Sequence, residues 1–300
     1  MPAIRLKKFA AKQNHYRSFI RSLHSMGSNI PIRRGRQIDY MREAGQLAAE
    51  ILRLTAEEVR PGVTTGEIDA AAAEMMAERG CTSAFLGYKG FPGHICISMN
   101  EEVVHGIGSD RVIQPGDVAK IDVGIYYKGW VGDNARSVPV GAISDEDERL
   151  LFATEESLAT AIEHARHGER LADLCASVET VSENFGYTVV RQFVGHGVGR
   201  RLHEEPQVPN HWNRAEMGSG PRLKEGMILA IEPMVNAGTE DVQILSDDWT
   251  VVTADKALSA HFEHTVLVTK DDPEILTPRE RTVARRYQPG DGKADTPIAW

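Results

Sequence analysis

Cysteine is scarce. The 300 residues contain three, Cys81, Cys96 and Cys175, an odd number with no C-x-x-C spacing among them. A disulfide scaffold and a thiolate zinc ribbon are both excluded, and a reducing compartment is the expected home. Long apolar runs are missing too. No stretch approaches the roughly eighteen uncharged apolar residues of a membrane span, so a soluble chain with no membrane partner is expected. Carboxylates are absent from residues 1–36, which carry nine Lys or Arg; the first acid is Asp39. All 43 acids therefore fall in the remainder of a chain whose formal net charge is -9. The sequence is an acidic body with a basic arm, and each needs its own explanation.

Common catalytic signatures are absent as well. His203-Glu204-Glu205-Pro206-Gln207 is not H-E-x-x-H, and Gly218-Ser219-Gly220 lacks the glycine two places before the serine of a nucleophile elbow. Gly195-x-Gly197-x-Gly199 has the wrong spacing for a dinucleotide fingerprint. Gly290, Gly292 and Lys293 make no phosphate loop, because Ala294 follows the lysine and no strand precedes it.

What is present is ordinary globular material, 41% hydrophobic and 26% charged, long enough to bury a real core. Residues 1–36 form the arm, 37–277 the body, and 278–300 a polar tail read as mobile. In the body, Ile38, Met41, Leu47, Ala48, Ile51 and Leu54 follow a helical period that Pro61-Gly62 stop. Thr64-x-x-Glu67 is a capping box for a second helix, which Gly80 ends. Ser144-x-x-Asp147 starts a third, running towards His167-Gly168, and a fourth spans about 169 to 186. β-Branched runs at 95–97, 118–125, 189–194, 227–231 and 265–269 read as strands. Helices and strands mix with neither dominating, so the class is α+β or α/β.

One stretch echoes another. His105-Gly106-Ile107-Gly108 recurs as His196-Gly197-Val198-Gly199. Each copy precedes a glycine turn feeding a strand with one acid six residues on: Gly116 leads to Asp122, and Gly226 to Glu232. The paired matches suggest a duplicated half-domain with a site at the pseudo-twofold axis.

Asp122, Asp133, Glu232 and Glu263 stand among apolar neighbours, where isolated charge is costly, and His196 lies between glycines. Asp133 closes a hairpin turned at Lys128-Gly129. Any one of these acids alone reads as a salt-bridged structural residue; four with an imidazole point to metal. Two divalent ions would neutralise such a site. Oxygen-rich ligation with one histidine suits Mn, Fe, Co or Zn, whereas a structural zinc favours thiolates. Two ions about 3.5–4 Å apart can share a water and lower its pKa, which is hydrolase chemistry.

The stretches NEEVVHGIG, KIDVGIYYKGWVGDNAR, VGHGVGRRLHEEPQV, AIEPMVNAG and HFEHTVLVT, within about residues 37 to 277, resemble the type I methionine aminopeptidases. The resemblance implies an α+β pita-bread fold, in which duplicated half-domains share a central antiparallel sheet flanked by helices. It implies that Asp122, Asp133, His196, Glu232 and Glu263 bind two divalent ions, with Asp133 and Glu263 bridging. Glu232 would also be the general base for a metal-bridging water that removes the initiator methionine of nascent proteins with a small second residue. His105 would contact the scissile amide and His203 polarise the substrate carbonyl, while the free amine sits near Asp122. The methionine pocket maps to Phe85, Tyr88, Phe91, Cys96, Leu202 and Trp249, each of which also reads as ordinary core. An apolar lining with a soft thiol suits an unbranched thioether. Two departures stand out. Gly108 occupies a place where the family commonly has proline, which would loosen the loop holding His105, and Phe85 and Leu202 vary the usual lining.

The nearest rival is a proline-specific peptidase of the same fold, which would usually need a large preceding domain. Glu232-Pro233-Met234-Val235 also resembles the methionine enzymes more. A non-catalytic, RNA- or ribosome-binding relative would be expected to lose ligands, and none is missing. The expected partners are nascent N-termini and, through the basic arm, the ribosome; a monomer is expected. The arm also reads as a solvated terminus or an organellar transit peptide, so cytoplasmic and organellar locations both stay open.

Overall fold

The structure, a computed structural model, describes residues 30–290. Most of the basic arm, with its expected ribosome contact, lies outside the described residues, as does the end of the tail. Four long helices form where the periodicity predicts them: α1 (Arg36–Glu57), α2 (Thr65–Glu78), α3 (Asp145–Glu163) and α4 (Leu171–Asn184). Local chemistry sets two of their starts. Thr64 Oγ1 accepts from the Glu67 amide at 3.2 Å, and the Glu67 carboxylate accepts from the Thr64 amide at 2.7 Å. Ser144 Oγ caps α3 by accepting from the Asp147 amide at 3.1 Å, and four acids in its first turn favour the positive end of the helix dipole.

The strands nearest the site are β1 (Cys96–Met99), β2 (Val118–Tyr127), β3 (Trp130–Pro139), β4 (Gly195–Gly197), β5 (Ile228–Ile231), β6 (Met234–Asn236), β7 (Ser259–His261) and β8 (His264–Leu267). Their ladders are all antiparallel, so the class is α+β rather than α/β. Lys128 and Gly129, both at positive φ, make the tight turn between β2 and β3.

The expected duplication is there in the strand pairing. β2 has β3 on one edge, with β1 and Thr82–Ser83 on the other. In the second half, β5 and β6 together take its place, with β8 and β7 on one edge and β4 and Thr188–Val189 on the other. Gly116 and Gly226 turn the chain at φ 91° and 89°, a region that favours glycine. Gly62 donates to the Ile113 carbonyl and Gly168 to that of Leu223, both at 2.9 Å. The second half departs at one place. Pro233 has no N–H, and the strand that runs unbroken through Asp122 stops at Glu232.

Alternation along β2 sends Ala119, Ile121, Val123 and Ile125 towards α1 and α2, where they pack with Ile51, Leu52, Ile68 and Met76. Asp122 and Gly124 face the opposite way. In the second half, Leu229, Ile231, Val235, Ala260 and Phe262 pack beneath α3 and α4. Each such buried Ile, Leu or Phe contributes about 1.5–3 kcal/mol, an upper estimate given residual collapse in the unfolded chain. Helices thus cover the two outer faces, and the polar residues meet between the halves.

Two expectations need correction. The run at 189–194 is a strand only over Thr188–Val189. Beyond it the chain bends, letting Arg191 pair with Glu179 at 2.7 Å and Glu240 at 2.6 Å. The tail is not mobile from residue 278. Val283 and Tyr287 are buried in the core under α3, while Arg281 pairs with Glu156 and Arg285 with Asp145. The acidic surface of α3 and two buried apolar anchors hold a segment with no period of its own.

Candidate metal centre and its surroundings

β2 and β3 place Asp133 opposite Gly124 and Asp122 opposite Ala135, so the two aspartates are diagonal neighbours on one face of the hairpin. Cys96 pairs with Asp122 from the other edge. Glu232 directly follows β5, at the proline break, and Glu263 occupies the short gap between β7 and β8. The Glu263 amide donates to the Ala135 carbonyl at 2.9 Å and Thr265 Oγ1 to the Asp133 carbonyl at 2.7 Å. These bonds stitch the two halves together at the site.

His196 sits in β4 opposite Ala230. Its Nδ1 lies 2.9 Å from the Gly197 carbonyl, which sets Nδ1 as the protonated nitrogen and leaves Nε2 as a bare lone pair. That lone pair points at the acids, 3.4 Å from Glu232 Oε1 and 3.7 Å from Asp133 Oδ2. Asp133, His196 and Glu263 offer ligand atoms all within 4.8 Å of one another. Asp122 Oδ1, Asp133 Oδ1 and Glu263 Oε1 are buried with no hydrogen-bond partner among the described residues. Orphaned carboxylate oxygens around a bare imidazole nitrogen fit a divalent cation of the first transition row.

The electrostatics agree. Burial, then repulsion from neighbouring acids, pushes Asp122, Glu232 and Glu263 well above the usual carboxylate range, and burial raises Asp133 to about 7. The histidines move the other way. Desolvation lowers His196 and His105 to about 4, and His203 and His261 to about 3. All four are neutral at pH 7. A cluster of acids forced together beside neutral imidazoles is stable only when protons or cations share it.

Of the pocket candidates, Phe85, Phe91, Cys96 and Leu202 are buried in one core cluster, with Tyr88 and Trp249 packed against it. Rings connect that cluster to the acids. Tyr88 stacks on His203 at 5.2 Å, and His203 lies 4.1 Å from His196. Phe91 meets Trp249 edge-on at 5.1 Å, and Trp249 meets His105 at 6.2 Å. Phe85 lies directly over Gly124, where any Cβ would collide with its ring. Burial holds the Cys96 thiol well above its ordinary pKa, so it acts as a small apolar group.

The loop after His105 is not loosened by its glycine. Gly108 lies flush against Thr65 and Asp69 of α2, and Ser109 is tied to α2 by its amide to Thr65 Oγ1 at 2.9 Å. His105 itself has φ 61°, a left-handed backbone that these contacts hold in place. The H-G-x-G echo is not a structural equivalence. His196 stands where Ser98 stands in the first half, since Ser98 faces Lys120 and His196 faces Ala230, each four residues past its glycine.

Sequence reading missed His261. It is fully buried, with Nε2 unpartnered among the described residues and 3.9 Å from Glu232 Oε2. The signal was the duplication: His261 faces Met234 as Asp133 faces Gly124, eight residues past each glycine.

Comparison with known proteins agrees with this geometry. Residues 39–270 match metallopeptidase family M24. The methionine aminopeptidase 1 of Bacillus subtilis is 47% identical over 242 residues, covering 81% of this chain and 96% of that protein. Solved structures of methionine aminopeptidases from Rickettsia prowazekii and Thermotoga maritima are each 40% identical, with a TM-score of 0.81. They match along 100% of their own chains and cover 83% and 84% of this one. The duplicated α+β architecture is thus the pita-bread fold, and the chain belongs to metallopeptidase family M24, among its type I methionine aminopeptidases.

Proposed function

We propose that the protein removes the N-terminal methionine from newly made polypeptides, using two divalent ions held by Asp122, Asp133, His196, Glu232 and Glu263. The observation that carries the reading is the junction of a buried four-carboxylate cluster and its imidazole with an apolar cluster rich in aromatic rings. Manganese, iron, cobalt and zinc all suit the donor set. Once bound, such ions supply Lewis acidity that acidifies a water and polarises a carbonyl.

The chain's own residues do the rest. The thioether of methionine fits beside Phe85, Phe91, Cys96, Leu202 and Trp249, an apolar surface that excludes water from the cleavage site. Glu232 takes the proton of the attacking water and passes it to the leaving amine. His203, neutral at working pH, donates an N–H to the carbonyl oxygen as negative charge develops there. His105 holds the scissile amide.

The test is release of methionine from Met-Ala-Ser by chelator-stripped protein, with Mn, Fe, Co or Zn added back and Glu232→Ala as control. Metal-dependent release that vanishes in the variant is the expected result. Cleavage only of an Ala-Pro peptide would transfer the protein to proline-specific chemistry. No activity with any metal would favour a ribosome-binding role for the arm and fold.

A further inference from the structure

Leu202 and His203 lie on a segment, 199–203, that belongs to no strand, yet both must be held where the substrate meets the metals. The segment is fastened at its start by the Val131 amide on the Gly199 carbonyl and by Arg200 on the Gly129 carbonyl, and beside His203 by Glu204. Glu204 Oε1 accepts from the Arg200 amide at 2.9 Å and the Arg201 amide at 3.2 Å. Its other oxygen, Oε2, is bound by the guanidinium of Arg33, and both side chains are largely buried, at 13% and 4% exposed. Arg33 comes from the short strap that precedes α1.

That strap is itself anchored. The Arg33 amide donates to the Gly226 carbonyl at 2.7 Å, and Ile30 and Ile32 pack on the second-half core. The guanidinium also lies 5.3 Å from the Trp130 ring, beside Arg200 at 4.1 Å from the same ring. It is pressed so closely on Gly199 that no Cβ fits there. A planar fork filling a space between a carboxylate, an indole and a backbone glycine is a use that lysine reproduces only in charge.

We propose that Arg33 is a positioning residue for the reaction: it clamps Glu204 and, through it, the segment that presents Leu202 and His203 to substrate. The inference rests on the proposed aminopeptidase activity. Arg33 touches no reacting atom; it acts through His203. Without it, Glu204 keeps its two amides but loses its counter-charge, and the segment gains freedom at the carbonyl-polarising side chain.

The test is a kinetic cycle on the full-length, metal-loaded enzyme with Met-Ala-Ser. Arg33→Ala should lower kcat/KM on the order of ten- to a hundredfold, mainly in kcat, because a small misplacement of a catalytic group has that effect. Manganese affinity, measured by calorimetry, should stay within about twofold, since no ligand is touched. Glu204→Gln, which keeps an acceptor for the two amides, should share the kcat loss, and Arg33→Lys, which keeps the charge but not the fork, should recover only part of it. In a His203→Ala background, Arg33→Ala should cost less than about twofold more. Wild-type kcat in Arg33→Ala, or a full further loss without His203, would overturn the proposal. A wild-type enzyme that releases no methionine would instead overturn the proposed function.

Discussion

The two halves of the molecule share a scaffold but not a chemistry. Thr82–Ser83 and Thr188–Val189 pair with the ends of their central strands at corresponding positions, and the same loop carbonyls receive the same amides. Against that symmetry the side chains at the axis differ. Asp122 in the first half answers to Glu232 in the second, Asp133 to His261, and Ser98 to His196. Ala135 faces Asp122, and Glu263 is the residue across from Glu232, between the pairs Ile231–His264 and Met234–His261. The backbone therefore fixes where ligands can stand, and side-chain choice at paired positions makes the site lopsided. The hairpin supplies adjacent aspartates, while the proline-broken half supplies longer glutamates and both imidazoles. In the proposed reading, Glu232 and His203 therefore both come from the second half.

The largest test of this asymmetry compares the paired acids. Glu232→Gln should lower kcat by about a thousandfold, the scale of losing a general base. Pre-steady-state methionine release is the measurement, and a loss below about tenfold would remove Glu232 from the role of base. Next come His196 and its counterpart. His196→Ala should abolish high-affinity manganese binding by calorimetry. Ser98→Ala should leave binding intact and cost about 1 kcal/mol of stability, because Ser98 Oγ accepts from the Gly106 amide.

A third comparison sets metal-free against metal-loaded protein across pH. In the free protein, Asp133 at about 7 favours folding while protonated, a contribution lost as pH rises from about 4 through 7, and the other raised acids act in the same direction. The lowered histidines do the reverse: their contribution is present above about pH 6.5 and lost as pH falls towards 4. Metal needs the acids ionised, so the gain in Tm on adding manganese should grow by several degrees, about 3–6, between pH 6 and pH 8. A gain that is flat with pH would mean the acids are already ionised without metal. Smaller still, His261→Ala should reduce kcat about tenfold with little change in manganese affinity. Equal losses in both would make His261 a ligand instead.

Much of the fold was legible because its signals are local. The Thr64–Glu67 box, the Ser144 cap and the positive-φ glycines act within a few residues, and the helices begin where those signals stand. The acids were legible for a different reason: carboxylates in apolar strands need partners, and only convergence supplies them. What stayed hidden depends on distant contacts. Val283 and Tyr287 have no periodic neighbours, yet α3 offers them a groove and acids for Arg281 and Arg285. The short H-G-x-G match misled, since Ser98, not His105, is the counterpart of His196.

By itself, then, the sequence determined the mix of helices and strands, the capped helix starts, the strand-borne acids and the family, because each is written in neighbouring residues or in runs that keep their order. Tertiary structure alone decided that Asp133, His196 and Glu263 share one space, that His261 joins them, and that Arg33 reaches the segment bearing His203. Those contacts span up to 171 positions of chain, and only the burial of two sheets against each other brings such distant side chains within bonding range.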